Sequence, residues 1–132
     1  MAMADDRVRE AVADLEHNVL MTSGAGCGKT YQMVQRYLQL LRSGVQVRHI
    51  VAVTFTEKAA QELKGRVRQE CRELAAQSGE ERRKWQRAAR RLEMAPIGTI
   101  HSFCARLLRE NAVPAHVDPF FSQLDETEQT FL

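Results

Sequence analysis

The chain has 132 residues, 44% of them hydrophobic and 27% charged, with a net charge of +2, which fits one soluble globular domain with a modest core. No apolar run reaches the length of a membrane span, and the opening MAMADDRVRE has no apolar leader core, so neither a membrane protein nor a secretory precursor is expected. Cys27, Cys71 and Cys104 are odd in number and far apart, which fits neither a disulfide framework nor a zinc site and predicts a reducing, cytoplasmic home.

In chain order, NVLMTS (18–23) is a short apolar run with the character of a buried strand. A glycine loop follows it. TYQMVQRYLQLLRSG (30–44) then carries Met33, Val34, Tyr37, Leu38, Leu40 and Leu41 at helical spacing, with Gly44 as a stop. HIVAVTF (49–55) reads as a second buried strand. Thr54 and Glu57 stand at capping-box spacing, so a helix is expected from about Glu57 to the Ser78-Gly79 break. A second, basic helix is expected over roughly 80–94, ended by Pro96. IGTIHSFCARLLREN predicts a very short strand, a turn, and a helix over about 102–111; Asp118-Pro119 reads as a turn, and Asp125 and Glu128 as the start of a last helix. Strand, loop, helix, strand, helix is the order of a parallel α/β sheet. Between Lys64 and Arg91 there are ten Lys/Arg against four Glu, a net +6. Such a block suits a solvated helical face or a polyanion surface.

SGAGCGKT (23–30) carries the chemistry. A triphosphate needs many backbone N–H donors at close range, so the side chains around it must be small. Gly24, Ala25, Gly26 and Gly28 meet that need, and Ser23 and Cys27 complete the expected nucleotide-binding loop. Lys29 is placed to reach the β and γ phosphates as a mobile point charge, and the Thr30 hydroxyl to ligate Mg²⁺. Ser23 stands where the strict phosphate-loop pattern has glycine. It is small, and that position mainly turns the chain off the strand. ATP and Mg²⁺ are therefore the expected ligands.

Two downstream segments separate this loop from other phosphate loops. Thr54, Phe55, Thr56, Lys58, Ala59, Ala60, Glu62 and Leu63 match every fixed position of T-F-T-x-K-A-A-x-E-[LM], and Gly98, Thr99, His101 and Ser102 match G-T-x-H-[SG]. The chain thereby resembles the UvrD/Rep-type superfamily 1 DNA helicases over nearly its whole length. The spacing between the two motifs is most similar to the RecB/AddA-like branch, which acts in ATP-dependent exonuclease and recombination complexes. The resemblance implies a P-loop NTPase (RecA-like) parallel sheet flanked by helices, incomplete at the C-terminus. Residues 1–132 would then be the N-terminal fragment of a UvrD-like helicase ATP-binding domain. It further implies single-stranded DNA as partner, with Thr54, Phe55, Thr56, Thr99 and His101 as contacts and Lys29 as the catalytic lysine, and partner subunits of a recombination or exonuclease complex. An aromatic such as Phe55 can stack on a base without reading its identity.

Val8 occupies the position where such helicases usually carry an adenine-reading glutamine. Stacking on Tyr37 or Tyr31, or loose base selectivity, would have to stand in. The acidic box and the arginines that complete phosphoryl transfer in the family are not found in the chain, so the chain alone is expected to turn over little ATP. The alternatives are an exonuclease subunit whose nuclease domain lies elsewhere, a small P-loop kinase or GTPase, and a non-catalytic nucleic-acid-binding module.

Overall fold

The computed structural model describes residues 2–22 and 28–124. In chain order the elements are α1 (Ala2–Ala13), α2 (Lys29–Arg42), β1 (Ala52–Thr54), α3 (Glu57–Gln77), α4 (Arg82–Arg91), β2 (Ile97–Thr99) and α5 (Ile100–Glu110), with short 3-10 turns at Val47–His49 and Leu92–Met94. The result is a small α/β fold. β1 and β2 pair in parallel, with Ala52, Val53 and Thr54 opposite Ile97, Gly98 and Thr99.

Helix α3 is the spine. Ala60, Leu63, Val67, Cys71 and Ala75 recur every three or four residues and form one buried stripe. Against it pack Val34, Tyr37, Leu38 and Leu41 of α2 and Trp85, Ala88 and Ala89 of α4. The alanines on both α3 and α4 let the two helices approach closely. A four-residue connection turns α4 back antiparallel to α3. An ion pair between Arg68 and Glu93 ties the returning end of this hairpin. Trp85 is 1% exposed. Its indole N–H donates to Glu81 Oε2 at 3.3 Å, and the cations of Lys84 and Arg42 lie 5.5 and 5.7 Å from its ring.

Several expectations need correction. Residues 18–22 form no strand; Leu20 is 90% exposed, and among the described residues β1 pairs only with β2. A strand is made by its ladder, and this apolar run has none there. The strand expected over 49–55 shortens to three residues because its partner β2 starts after Pro96, which has no N–H to donate. Thr54 does not cap α3. Thr56 does, its hydroxyl accepting from Ala59 N at 3.1 Å, while Thr54 Oγ1 donates to Thr56 O at 2.9 Å. The basic helix spans 82–91 rather than 80–94, and α5 begins at Ile100 rather than 102. α1, which the residue pattern did not announce, precedes them all. The expected last helix from Asp125 lies outside the described residues.

Cys71 is fully buried, and burial pushes its thiol up to about 11 from 9.0, with the Glu70 charge adding to the shift. Burial drives the Tyr37 hydroxyl in the same direction. Because the folded state favours the neutral thiol, the contribution of Cys71 to stability is whole below about pH 9 and is lost as pH rises toward 11, while that of Tyr37 persists to higher pH. Urea midpoints should fall across that window, less steeply in Cys71→Ala. In the native protein at about pH 8, iodoacetamide should label the exposed Cys104 and spare Cys71, as read by mass spectrometry. Rapid native labelling of Cys71 would contradict this packing.

Candidate functional site

The described part of the glycine loop is its exit. Gly28 adopts φ 77° and ψ 13°, a left-handed conformation that favours glycine, and serves as the N-cap of α2. Among the described residues no side chain caps this helix, and its first turn holds no acidic residue. Lys29 and Thr30 occupy that turn and are exposed. Uncapped N–H groups, the positive helix end and a lysine form a donor set that suits an anion. Ser23, Gly24, Ala25, Gly26 and Cys27 lie outside the described residues.

The approach to the loop is held by a side chain that sequence reading passed over. Arg36 Nη1 donates to the carbonyls of Ala11, Val12 and Asp14, at 3.1, 3.3 and 2.7 Å, and its Nη2 donates to His17 O at 3.2 Å. It fastens the end of α1 and the chain beyond it to α2. Asp14 in turn accepts from Glu16 N and His17 N, which holds its carboxyl below the usual carboxylate range. Nothing in the spacing of α2 marks Arg36, because its partners are backbone carbonyls. Beside it, Val12, Tyr31, Gln32 and Gln35 line a hollow of about 530 Å³ between α1 and α2. Tyr31 is 54% exposed, whereas Tyr37 is 4% exposed and its hydroxyl lies in the core with no partner among the described residues. Tyr37 is thereby removed as a platform for adenine.

The second set of residues meets at the C-terminal ends of the strands. The register sets Thr54 beside Thr99, so the segments that follow, Phe55-Thr56 and Ile100-His101, leave the sheet side by side. Thr99 Oγ1 donates to Glu57 Oε1 at 3.0 Å, bridging the two motifs across 42 residues. The same oxygen accepts from Ser102 N at 3.2 Å and caps α5, while Ser102 Oγ donates to Thr99 O at 2.9 Å. A Cβ at Gly98 would crowd the Ser102 hydroxyl and displace it from its bond to Thr99 O. Phe55 is fully exposed, at 103%. His101 is exposed in the first turn of α5, and its carbonyl accepts from Gln123 Nε2 at 3.1 Å. Thr54, Phe55, Thr56, Thr99 and His101 are thus brought to one edge. Glu57, read in the sequence only as half of a capping box, is the link between them.

The family model described as the UvrD/REP helicase N-terminal domain matches residues 4–132. The chain belongs to that family. Among similar proteins, the AddA-type subunit of the ATP-dependent helicase/nuclease of Ligilactobacillus salivarius is 35% identical over 126 residues, covering 94% of this chain and 10% of that protein. The corresponding protein of Enterococcus faecalis is 36% identical over 126 residues, covering 93% of this chain and 10% of its own length. The exonuclease/helicase subunit RexA of Lactococcus lactis is 33% identical over 126 residues, again 93% and 10%. The chain therefore spans about a tenth of the length of these curated relatives. Their names agree with the AddA-like branch inferred from the motif spacing. Among the described residues, no helix is long and apolar enough to cross a membrane.

The Thr99 hydroxyl both caps α5 and holds Glu57. Thr99→Ala should cost about 1 kcal/mol of stability, and Thr99→Ser should recover most of it. Equal urea midpoints for Thr99→Ala and the parent chain would show that these bonds contribute nothing.

Proposed function

We propose that the chain is the ATP-binding portion of an ATP-dependent DNA helicase or translocase that acts on single-stranded DNA in repair or recombination. Residues 1–132 would form the N-terminal part of a P-loop (RecA-like) ATP-binding domain. The observation that carries this reading is the register of β1 and β2, which sets Thr54 beside Thr99 under a fully exposed Phe55. An exposed aromatic flanked by hydroxyls is the combination a single strand needs: stacking that tolerates any base, and neutral hydrogen-bonding groups for the phosphate backbone.

The nucleotide is assigned to the start of α2. Gly28 turns the chain, Lys29 places a positive charge against phosphate oxygens, and the first N–H groups of the helix donate to them. Hydrolysis of the bound nucleotide would supply the free energy for movement along DNA. The Thr30 hydroxyl offers one oxygen to Mg²⁺. An ion there would be held largely by phosphate oxygens and water. Tyr31, on the rim of the hollow between α1 and α2, is the remaining aromatic for stacking adenine where Val8 replaces glutamine. That the relatives are named as subunits supports a partner chain in a helicase–nuclease assembly, and a DNA-processing role supports a cytoplasmic location.

Titration calorimetry tests both halves. Mg-ATP should bind the chain and fail to bind Lys29→Ala. Phe55→Ala should weaken an oligothymidylate by about 1–3 kcal/mol while leaving ATP affinity unchanged. ATP affinity that survives Lys29→Ala would remove the nucleotide assignment, and oligonucleotide affinity indifferent to Phe55 would remove the stacking role.

A further inference from the structure

The most concentrated charge in the fold lies away from both sets of residues. At about 100° per residue, Arg82, Gln86, Arg90, Arg83, Arg87 and Arg91 follow one another around half of the circumference of α4. Trp85, Ala88 and Ala89 occupy the other half and are buried. All five arginines are exposed, and none has a hydrogen-bond or ion-pair partner among the described residues. Several other arginines are engaged. Arg66, Arg68 and Arg106 each meet a glutamate, and Arg36 meets four carbonyls. Glu81, next to Arg82 in the chain, is taken up by Lys84 and Trp85. Arg72 of α3 widens the face, sharing with Arg82, Gln86 and Arg90 a hollow of about 350 Å³.

Unpaired arginines held at fixed spacing call for an anion with fixed spacing. From Arg82 to Arg91 the helix rises roughly 14 Å, the length over which one strand of a duplex carries about four phosphates. The face offers no stacking platform, because Trp85 points the other way and is buried. Single-strand binding relies on such platforms, whereas a duplex hides its bases and presents phosphates alone. Position separates this face from Phe55. α3 leads away from the C-terminal end of β1, and α4 returns toward the N-terminal end of β2, so the arginines lie at the other end of the sheet.

We propose that the arginine face of α4 is a second nucleic-acid surface, which binds the phosphate backbone of double-stranded DNA without regard to sequence. It does not depend on the nucleotide or single-strand assignments.

Fluorescence anisotropy with a labelled duplex of mixed sequence tests it on the 132-residue chain. The triple variant R83Q/R87Q/R90Q alters only exposed side chains, and the buried Trp85 reports by its emission that α4 stays packed. Duplex affinity should fall at least about tenfold, and the slope of log affinity against log salt should lessen by nearly three, about 0.9 per lost phosphate contact. Oligothymidylate affinity should change by less than about twofold, since stacking, not this face, holds it. Phe55→Ala should leave duplex binding as it was. No measurable duplex binding by the parent chain, an unchanged slope in the triple variant, or tighter binding of polyglutamate than of duplex would each overturn the proposal. The last result would reassign the face to an acidic protein.

Discussion

Three residues of parallel ladder hold the arrangement together. Parallel strands cannot be joined by a tight turn; they need a crossover. Here the crossover is the α3–α4 hairpin, and its buried stripe is the core. The ladder sets Thr54 opposite Thr99 and no other residue. A slip of one position would turn Val53 and Gly98 to the wrong neighbours and would pull Thr99 away from Glu57. The meeting of two distant motifs at one edge thus rests on few hydrogen bonds, reinforced by the caps of α3 on Thr56 and of α5 on Thr99.

What could be read in the sequence was what is written in local spacing. α2 followed from its apolar period and Gly44 from its place as a stop, which the structure makes a left-handed turn at φ 96°; α3 followed from the Thr54–Glu57 spacing and the Ser78-Gly79 break, and a very short strand was legible in IGTIHSF. Failures came where a partner decides. The run at 18–22 is apolar enough for a strand but has no ladder among the described residues. Thr54 and Thr56 are equally good capping residues by type, and only the backbone path selected Thr56. Tyr37 and Tyr31 are the same residue six positions apart, yet one is core and the other surface. The site motifs were legible as strings. Their adjacency, and the Thr99–Glu57 bond that joins them, depend on a register that no local pattern encodes.

The two ends of the fold use different chemistry. At the C-terminal edge of the strands the groups are an aromatic ring, hydroxyls and an imidazole, with little fixed charge. On α4 they are guanidinium cations. Salt screens the second kind far more than the first. The same +6 that looked like one basic block in the sequence is therefore divided. Arg66 and Arg68 are neutralised by glutamates, while the charge of α4 is left facing solvent.

Arg36 has a consequence for which replacements the fold can accept. Its guanidinium reaches four carbonyls spread over Ala11 to His17 because its donors fan out in a plane. Lysine keeps the charge but concentrates its three donors on one atom, and cannot span that arc. Glutamine keeps some donors but loses both reach and charge. The site therefore admits no conservative neighbour. A chain drifting in sequence can exchange one exposed arginine of α4 for another cation, but any exchange at position 36 gives up part of this arc of bonds.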